Sequence, residues 1–218
     1  MIKHLPNALT VTRFVLAPFV AYALYVALSL PLDAASEPLT YPERLAEAER
    51  WALLAAGLFV FAAFTDLFDG MAARALKTDS KFGRILDPIA DKALVGLPLL
   101  AVSFHAYRAD WPFWAAIAGA SAIIVGRDSL MTILRLTARD GEGARVSSLA
   151  KWKTALELVC VGCPVLLAAA PALVKAIGAG EGFSASPSLL MGWTVLLGAT
   201  AALSALTAVQ YLTPPRSS

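Results

Sequence analysis

Six long runs of apolar residues dominate the chain, roughly over 9–30, 48–68, 85–106, 112–134, 152–174 and 187–211, with polar residues gathered mainly between them. A helix needs about 20 mostly apolar residues to cross the hydrocarbon core of a bilayer. Each run therefore predicts one spanning helix, and the whole pattern predicts an all-α, polytopic membrane protein of six transmembrane helices, a single domain over residues 1–218. Pro18, Pro98, Gly119 and Pro164 fall inside the runs, where neighbouring helices can satisfy the backbone groups they free. The segment from Pro31 to Arg50 carries Asp33, Glu37, Glu43, Glu47 and Glu49. It is expected to face outward and to enter the second run as a short interfacial helix.

Composition agrees with the pattern. Of the 218 residues, 58% are hydrophobic and 16% charged, and the mean hydropathy is +0.67, well above a soluble domain. Little chain is left over for a soluble unit. Charge then gives orientation, because cytoplasmic loops carry the excess of lysine and arginine. Of the 18 basic residues, only Arg44, Arg50, Arg108 and Lys175 fall on one side of the predicted spans. Both termini are accordingly expected in the cytoplasm. The opening "MIKHLPNALTVTRF" precedes an apolar run too long for a cleaved signal, so the first span is expected to be retained. Lys3 and His4 suit a short interfacial lead-in. Cys160 and Cys163 form a C-x-x-C without flanking strands, which favours small packing residues over a redox pair. His4 and His105 have no partner at a matching spacing.

The chemistry is concentrated between Phe64 and Lys92. Asp66 and Asp69 are three apart and Asp87 and Asp91 four apart, so each pair projects from one face of its helix. The short polar segment "LKTDSKFG" can turn the chain back, which would make the second and third helices antiparallel neighbours with their carboxylates face to face. An aspartate at the centre of a membrane helix costs roughly 2.5 to 3.5 kcal/mol on insertion scales, so four together need compensation. Arg74 alone is too few, whereas a hard divalent cation such as Mg²⁺ or Mn²⁺ prefers carboxylate oxygens and leaves sites for phosphate. Other readings stand beside this one. Asp87 before Pro88 can cap a helix, Asp91 can favour the positive end of the helix dipole, and Asp79 in the turn can simply be solvated. Gly70, Ala73 and Gly83 could let a diphosphate approach the backbone or could serve close helix packing. Arg74 offers a fork suited to phosphate.

Asp66, Asp69, Gly70, Ala73, Arg74, Gly83, Asp87 and Asp91 together reproduce D-x-x-D-G-x-x-A-R-x(8)-G-x-x-x-D-x-x-x-D, which resembles the signature of the CDP-alcohol phosphotransferases. The segments "LPNALTVTRFVLAP", "FGRILDPIADK", "GRDSLMTILR", "SSLAKWKT" and "VQYL" are similar to the bacterial branch of that family that acts on CDP-diacylglycerol and glycerol 3-phosphate. The resemblance implies a homodimer in the bacterial cytoplasmic membrane with its site facing the cytoplasm. It implies one or, more fully, two Mg²⁺ or Mn²⁺ ions held by Asp66, Asp69, Asp87 and Asp91, with Asp91 also the base that takes the acceptor's proton. Asp66, Asp69, Gly70, Ala73, Arg74 and Gly83 would bind the CDP-linked donor. The products would be phosphatidylglycerol phosphate and CMP. The chain departs from the pattern at Arg127-Asp128, where relatives more often have Arg-Glu, at Ala150-Lys151, where they have Gly-Lys, and in a longer first outward loop.

An acceptor that carries its own phosphate calls for a cationic pocket, for which Arg127, Arg135 and Lys151 are the candidates. An arginine that follows "WAAIAGASAIIVG" normally faces a cavity, a partner or the bundle interior. For Arg135, Arg139 and Lys153, membrane anchoring or snorkelling is the competing role. Cardiolipin or phosphatidylinositol-phosphate-type synthases would share the aspartates and differ in acceptor. A divalent-cation transporter would instead need acidic groups near mid-membrane on several helices.

Overall fold

A computed structural model describes residues 5–34, 41–76, 81–137, 148–178 and 186–212; within the helices the backbone alone is described for several residues, among them 66–76, 81, 82, 84, 135 and 148–151. The predicted turn at 77–80, with Asp79, lies outside the described residues. The chain forms six helices, α1 (Leu5–Ala34), α2 (Tyr41–Leu76), α3 (Lys81–Arg108), α4 (Trp114–Thr137), α5 (Ser148–Ala176) and α6 (Pro187–Leu212), and no strand among the described residues. Each coincides with one of the apolar runs and extends beyond it. Tyr41 to Arg50 are the first turns of α2 itself, so the expected separate interfacial helix is instead part of one continuous 36-residue helix.

Five of the six helices are long and apolar enough to cross a membrane, and α3 is not among them. Its second half is as apolar as the others, but its first half carries Asp87, Asp91 and Lys92. Side-chain size is distributed to suit lipid. The interior is filled largely with alanine, including Ala17, Ala52, Ala55, Ala62, Ala106 and Ala169, while Phe19, Phe61, Phe64, Phe104 and Val195 point outward. Water would draw those large apolar groups inside; lipid does not, and small interior residues let the backbones come close.

Going round the bundle, α1 packs on α2, α2 on α5, α5 on α6, α6 on α4, α4 on α3, and α3 back on α1. Thus α1 stands between the two helices that were expected to be direct neighbours, over the described part of their length. The seam that α1 offers is regular. Thr10, Arg13, Ala17, Val20, Leu24 and Ala27 are all buried and recur at alternate spacings of three and four, the repeat of a helix-packing stripe.

Contacts along α1 and α3 fix their direction. Thr10 bonds Asp87, Arg13 pairs with Asp91, the rings of Tyr25 and Phe104 lie 5.7 Å apart, and Asp33 accepts from Arg108 at 2.8 Å. The two helices are therefore parallel, and the chain must cross the bundle once through α2. A second ion pair, Lys175 to Glu49 at 2.7 Å, ties α5 to α2 at the Asp33–Arg108 end. Between α3 and α4 the chain turns in a few residues, with Asp110 in the left-handed region at φ 48°, a conformation aspartate tolerates better than most side chains.

Candidate active site

One helical turn separates Asp87 from Asp91 on α3, and both line a cavity of about 290 Å³ that opens at the end of the bundle where α1, α3 and α5 begin. Its walls also include Arg13 of α1, Ala63 of α2, Lys92 of α3, Thr132 of α4 and Thr154 of α5. The α1 stripe supplies both carboxylates with partners. Thr10 donates its hydroxyl to Asp87, and the Arg13 guanidinium, only 2% exposed, pairs with Asp91, whose side chain is 45% exposed. A guanidinium this deep in an apolar helix needs a counter-charge, and an anionic cavity wall provides it. Gly83 is buried in the first turn of α3.

A second polar layer lies behind the cavity. Lys92 Nζ reaches Asp128 Oδ2 at 2.6 Å and Glu157 Oε2 at 3.6 Å. Lys153 pairs with Asp128 and, four residues along its own helix, with Glu157 at 2.6 Å. Arg127 donates to Asp128 at 2.9 Å and to the Thr207 hydroxyl of α6 at 3.1 Å. Asp128 is thus the hub of a buried network that joins α3, α4 and α5, and through Arg127 it reaches α6. Anchoring at the membrane surface is not the role of Lys153, which is buried in this layer; the two carboxylates beside it offset the cost of its desolvation.

Of the residues singled out in the sequence, Asp87 and Asp91 come together in the cavity as their spacing predicts. Arg127 is placed in the layer behind it, engaged by Asp128 and Thr207, and is not among the residues lining the cavity. Asp66, Asp69, Gly70, Ala73 and Arg74 fall in α2, Arg135 in α4 and Lys151 in α5, with side chains outside those described. Sequence reasoning missed Thr10, Arg13, Lys92, Asp128 and Glu157. The signal was present, since most of them are charges set inside apolar runs, and such charges normally face a partner or cavity. Cys160 and Cys163 are free thiols, and Cys160 is buried 3.3 Å from the Thr200 hydroxyl, as packing residues should be.

Among the described residues no three His, Cys, Asp or Glu side chains converge. Even so, the donor set at the cavity suits a hard divalent cation. It offers two carboxylates from one face of α3 and the Thr10 hydroxyl, without thiol or imidazole. Ala63, three residues before Asp66 in the sequence, lines the same cavity.

Residues 3–208 match the sequence model for CDP-alcohol phosphatidyltransferase. The chain is 33% identical over 159 residues to a protein of Cereibacter sphaeroides named CDP-diacylglycerol–glycerol-3-phosphate 3-phosphatidyltransferase, covering 72% of this chain and 61% of the relative. Relatives of the same name from Yersinia enterocolitica and Pseudomonas fluorescens are 35% identical over 133 residues and 31% over 199. These cover 61% and 88% of this chain, and 58% and 87% of the relatives. The chain spans about three fifths of the length of the first two. No solved structure matches it.

Proposed function

Because this chain belongs to the CDP-alcohol phosphatidyltransferase family, we propose that it transfers the phosphatidyl group of CDP-diacylglycerol to glycerol 3-phosphate, releasing CMP. The observation that carries this reading is the cavity in which Asp87 and Asp91 stand one turn apart on α3 with Arg13 and Lys92 beside them. Carboxylates alone would repel both substrates, whereas this wall alternates acidic and basic groups. Asp66, Asp69, Asp87 and Asp91 would hold Mg²⁺ or Mn²⁺, in one or two sites. When bound, the cation supplies charge neutralisation at the diphosphate and a lower barrier to loss of CMP.

The chain's own groups do the rest. Asp91 accepts the proton of the acceptor hydroxyl, directly or through one water. The hydroxyl oxygen then forms a bond to the β-phosphorus, which bears the diacylglycerol, while the bond from that phosphorus to the bridging oxygen breaks and the electron pair leaves with CMP. Gly70, Ala73 and Gly83 leave room for the diphosphate beside the backbone, and Arg74 offsets charge on the departing nucleotide. Arg135 and Lys151 receive the acceptor's phosphate, and Arg127 adds its charge from the layer behind. All six helices cross the membrane, with α3 shielded by α1 and α4, both termini in the cytoplasm and the cavity facing that side of the bacterial inner membrane. Donor tails stay in the lipid, two copies associate through outward apolar faces, and soluble acceptor and CMP exchange at the rim.

Purified protein given CDP-diacylglycerol and a panel of alcohols tests the reading. CMP release should require donor, acceptor and divalent cation together, stop on addition of chelator, and be fastest with glycerol 3-phosphate. Faster release with phosphatidylglycerol or inositol phosphate would move the chain to a cardiolipin or phosphatidylinositol-phosphate-type synthase, and release with none would end the proposal.

A further inference from the structure

Lys92 belongs to both polar layers. It lines the cavity beside Asp91, and its ammonium is held from behind by Asp128 and Glu157. The rear layer is not neutral: among the described residues Lys92, Arg127 and Lys153 face two carboxylates, Asp128 and Glu157, so these five residues carry one positive charge in excess. Burial decides where that excess is felt. The Lys153 side chain is 2% exposed, that of Arg127 12% and that of Lys92 26%. Lys92 is the cation of the three that reaches the cavity. An ammonium has three donors. Asp128 holds it as an ion pair at 2.6 Å, and Glu157, at 3.6 Å, lies beyond hydrogen-bond range.

We propose that Lys92 is a contact for a phosphate group of a substrate bound in the cavity, and that Asp128 is a positioning residue that aims the Lys92 ammonium there. Asp128 is suited to this because it also binds Lys153 and Arg127, so its carboxylate is fixed from α4 and α5 before Lys92 meets it. The identity of the substrate rests on the function proposed above; the phosphate contact does not. The phosphate has two possible sources, the phosphomonoester of the acceptor and the diphosphate of the donor, and they are separable by kinetics.

The experiment uses the full chain in detergent, with Lys92→Gln, Lys92→Arg, Asp128→Asn and Asp128→Glu. Loss of a charge-assisted hydrogen bond should raise the KM of one phosphate-bearing substrate roughly 10- to 100-fold in Lys92→Gln. The KM of the other substrate should change little; whichever one moves identifies the source. Lys92→Arg should retain most of the affinity, Asp128→Asn should reproduce part of the KM shift, and Asp128→Glu should restore it. Independently of turnover, inorganic phosphate with chelator present should raise the melting temperature of the unaltered protein by ligand linkage, and should not do so for Lys92→Gln. Unchanged KM values in Lys92→Gln, or the same phosphate-dependent melting shift with and without Lys92, would overturn the proposal. So would a fall in stability with both KM values altered alike, which marks a structural role. Should Lys92→Gln fail to fold, Lys92→Arg decides: its phosphate-dependent shift should persist, and loss of that shift in the folded variant overturns the contact. Failure of the unaltered protein to release CMP, with the phosphate shift intact, would refute the reaction and leave the contact standing.

Discussion

At the scale of single residues, the molecule depends on charges held where lipid surrounds the fold. Glu157 is fully buried and faces Lys153 at 2.6 Å, with Lys92 further off. Removing one member of a buried pair strands the other, at a cost of roughly 3 to 5 kcal/mol, whereas replacing both with apolar groups of similar size is often close to neutral. Lys153→Met should therefore lower the thermal stability of the purified protein sharply. Lys153→Met with Glu157→Leu should recover much of the loss, and a double-mutant cycle would read the coupling. Asp91 makes a second prediction, because it both lines the cavity and pairs with the buried Arg13 guanidinium. Asp91→Asn should lower the melting temperature by leaving Arg13 without that counter-charge, and should reduce CMP release per folded protein about 10²- to 10⁴-fold, the range of a lost general base. Near-normal turnover in that variant would remove Asp91 as the base. Much of this layer was legible as a need and not as a solution. A charge inside an apolar run announces that it has a partner, yet only Lys153 and Glu157 reveal theirs, by standing four apart on one helix. Asp128 with Lys92 joins residues 36 positions apart on separate helices, which no spacing in one helix encodes.

At the scale of helices, α1 performs a role that its apolar sequence hides. Its buried stripe from Thr10 to Ala27 lies against the bundle, and the first two members of that stripe are the partners of Asp87 and Asp91. The repeat of three and four was readable in the sequence. Its target was not, because adjacency in the chain suggested that α2 would face α3, while the packing sets α1 between them. The function of the stripe depends on close approach, which Ala17, fully buried one turn beyond Arg13, permits. Ala17→Leu would overpack this seam, costing about 1 to 3 kcal/mol, and would push Arg13 and Thr10 away from α3. Lower stability and a fall in kcat are both expected. Val15→Leu, on the exposed side of the same helix, should change neither by more than a small amount. Equal effects of the two substitutions would show that α1 contributes only general apolar mass.

For the whole molecule, the decisive feature is how ionic groups are divided between the two ends of the bundle. Arg13, Asp87, Asp91, Lys92, Asp128, Lys153 and Glu157 gather where α1, α3 and α5 begin, and Arg108 with Asp33 and Lys175 with Glu49 gather at the opposite end. The first group is buried or lines the cavity, and under the function proposed above that cavity has to face the compartment that supplies the soluble acceptor. In the orientation proposed above, from the excess of basic residues in the flanking segments, that end lies in the cytoplasm. The short α3–α4 turn at Asp110 must then face the other way. In a Cys160→Ala, Cys163→Ala background, Asp110→Cys should react with a membrane-impermeant maleimide applied to intact cells. A cysteine placed at Leu212, the end of α6, should react only after the membrane is opened. Labelling in the reverse order would invert the bundle, and the cavity with its carboxylates would then open away from the nucleotide-linked donor it is proposed to use.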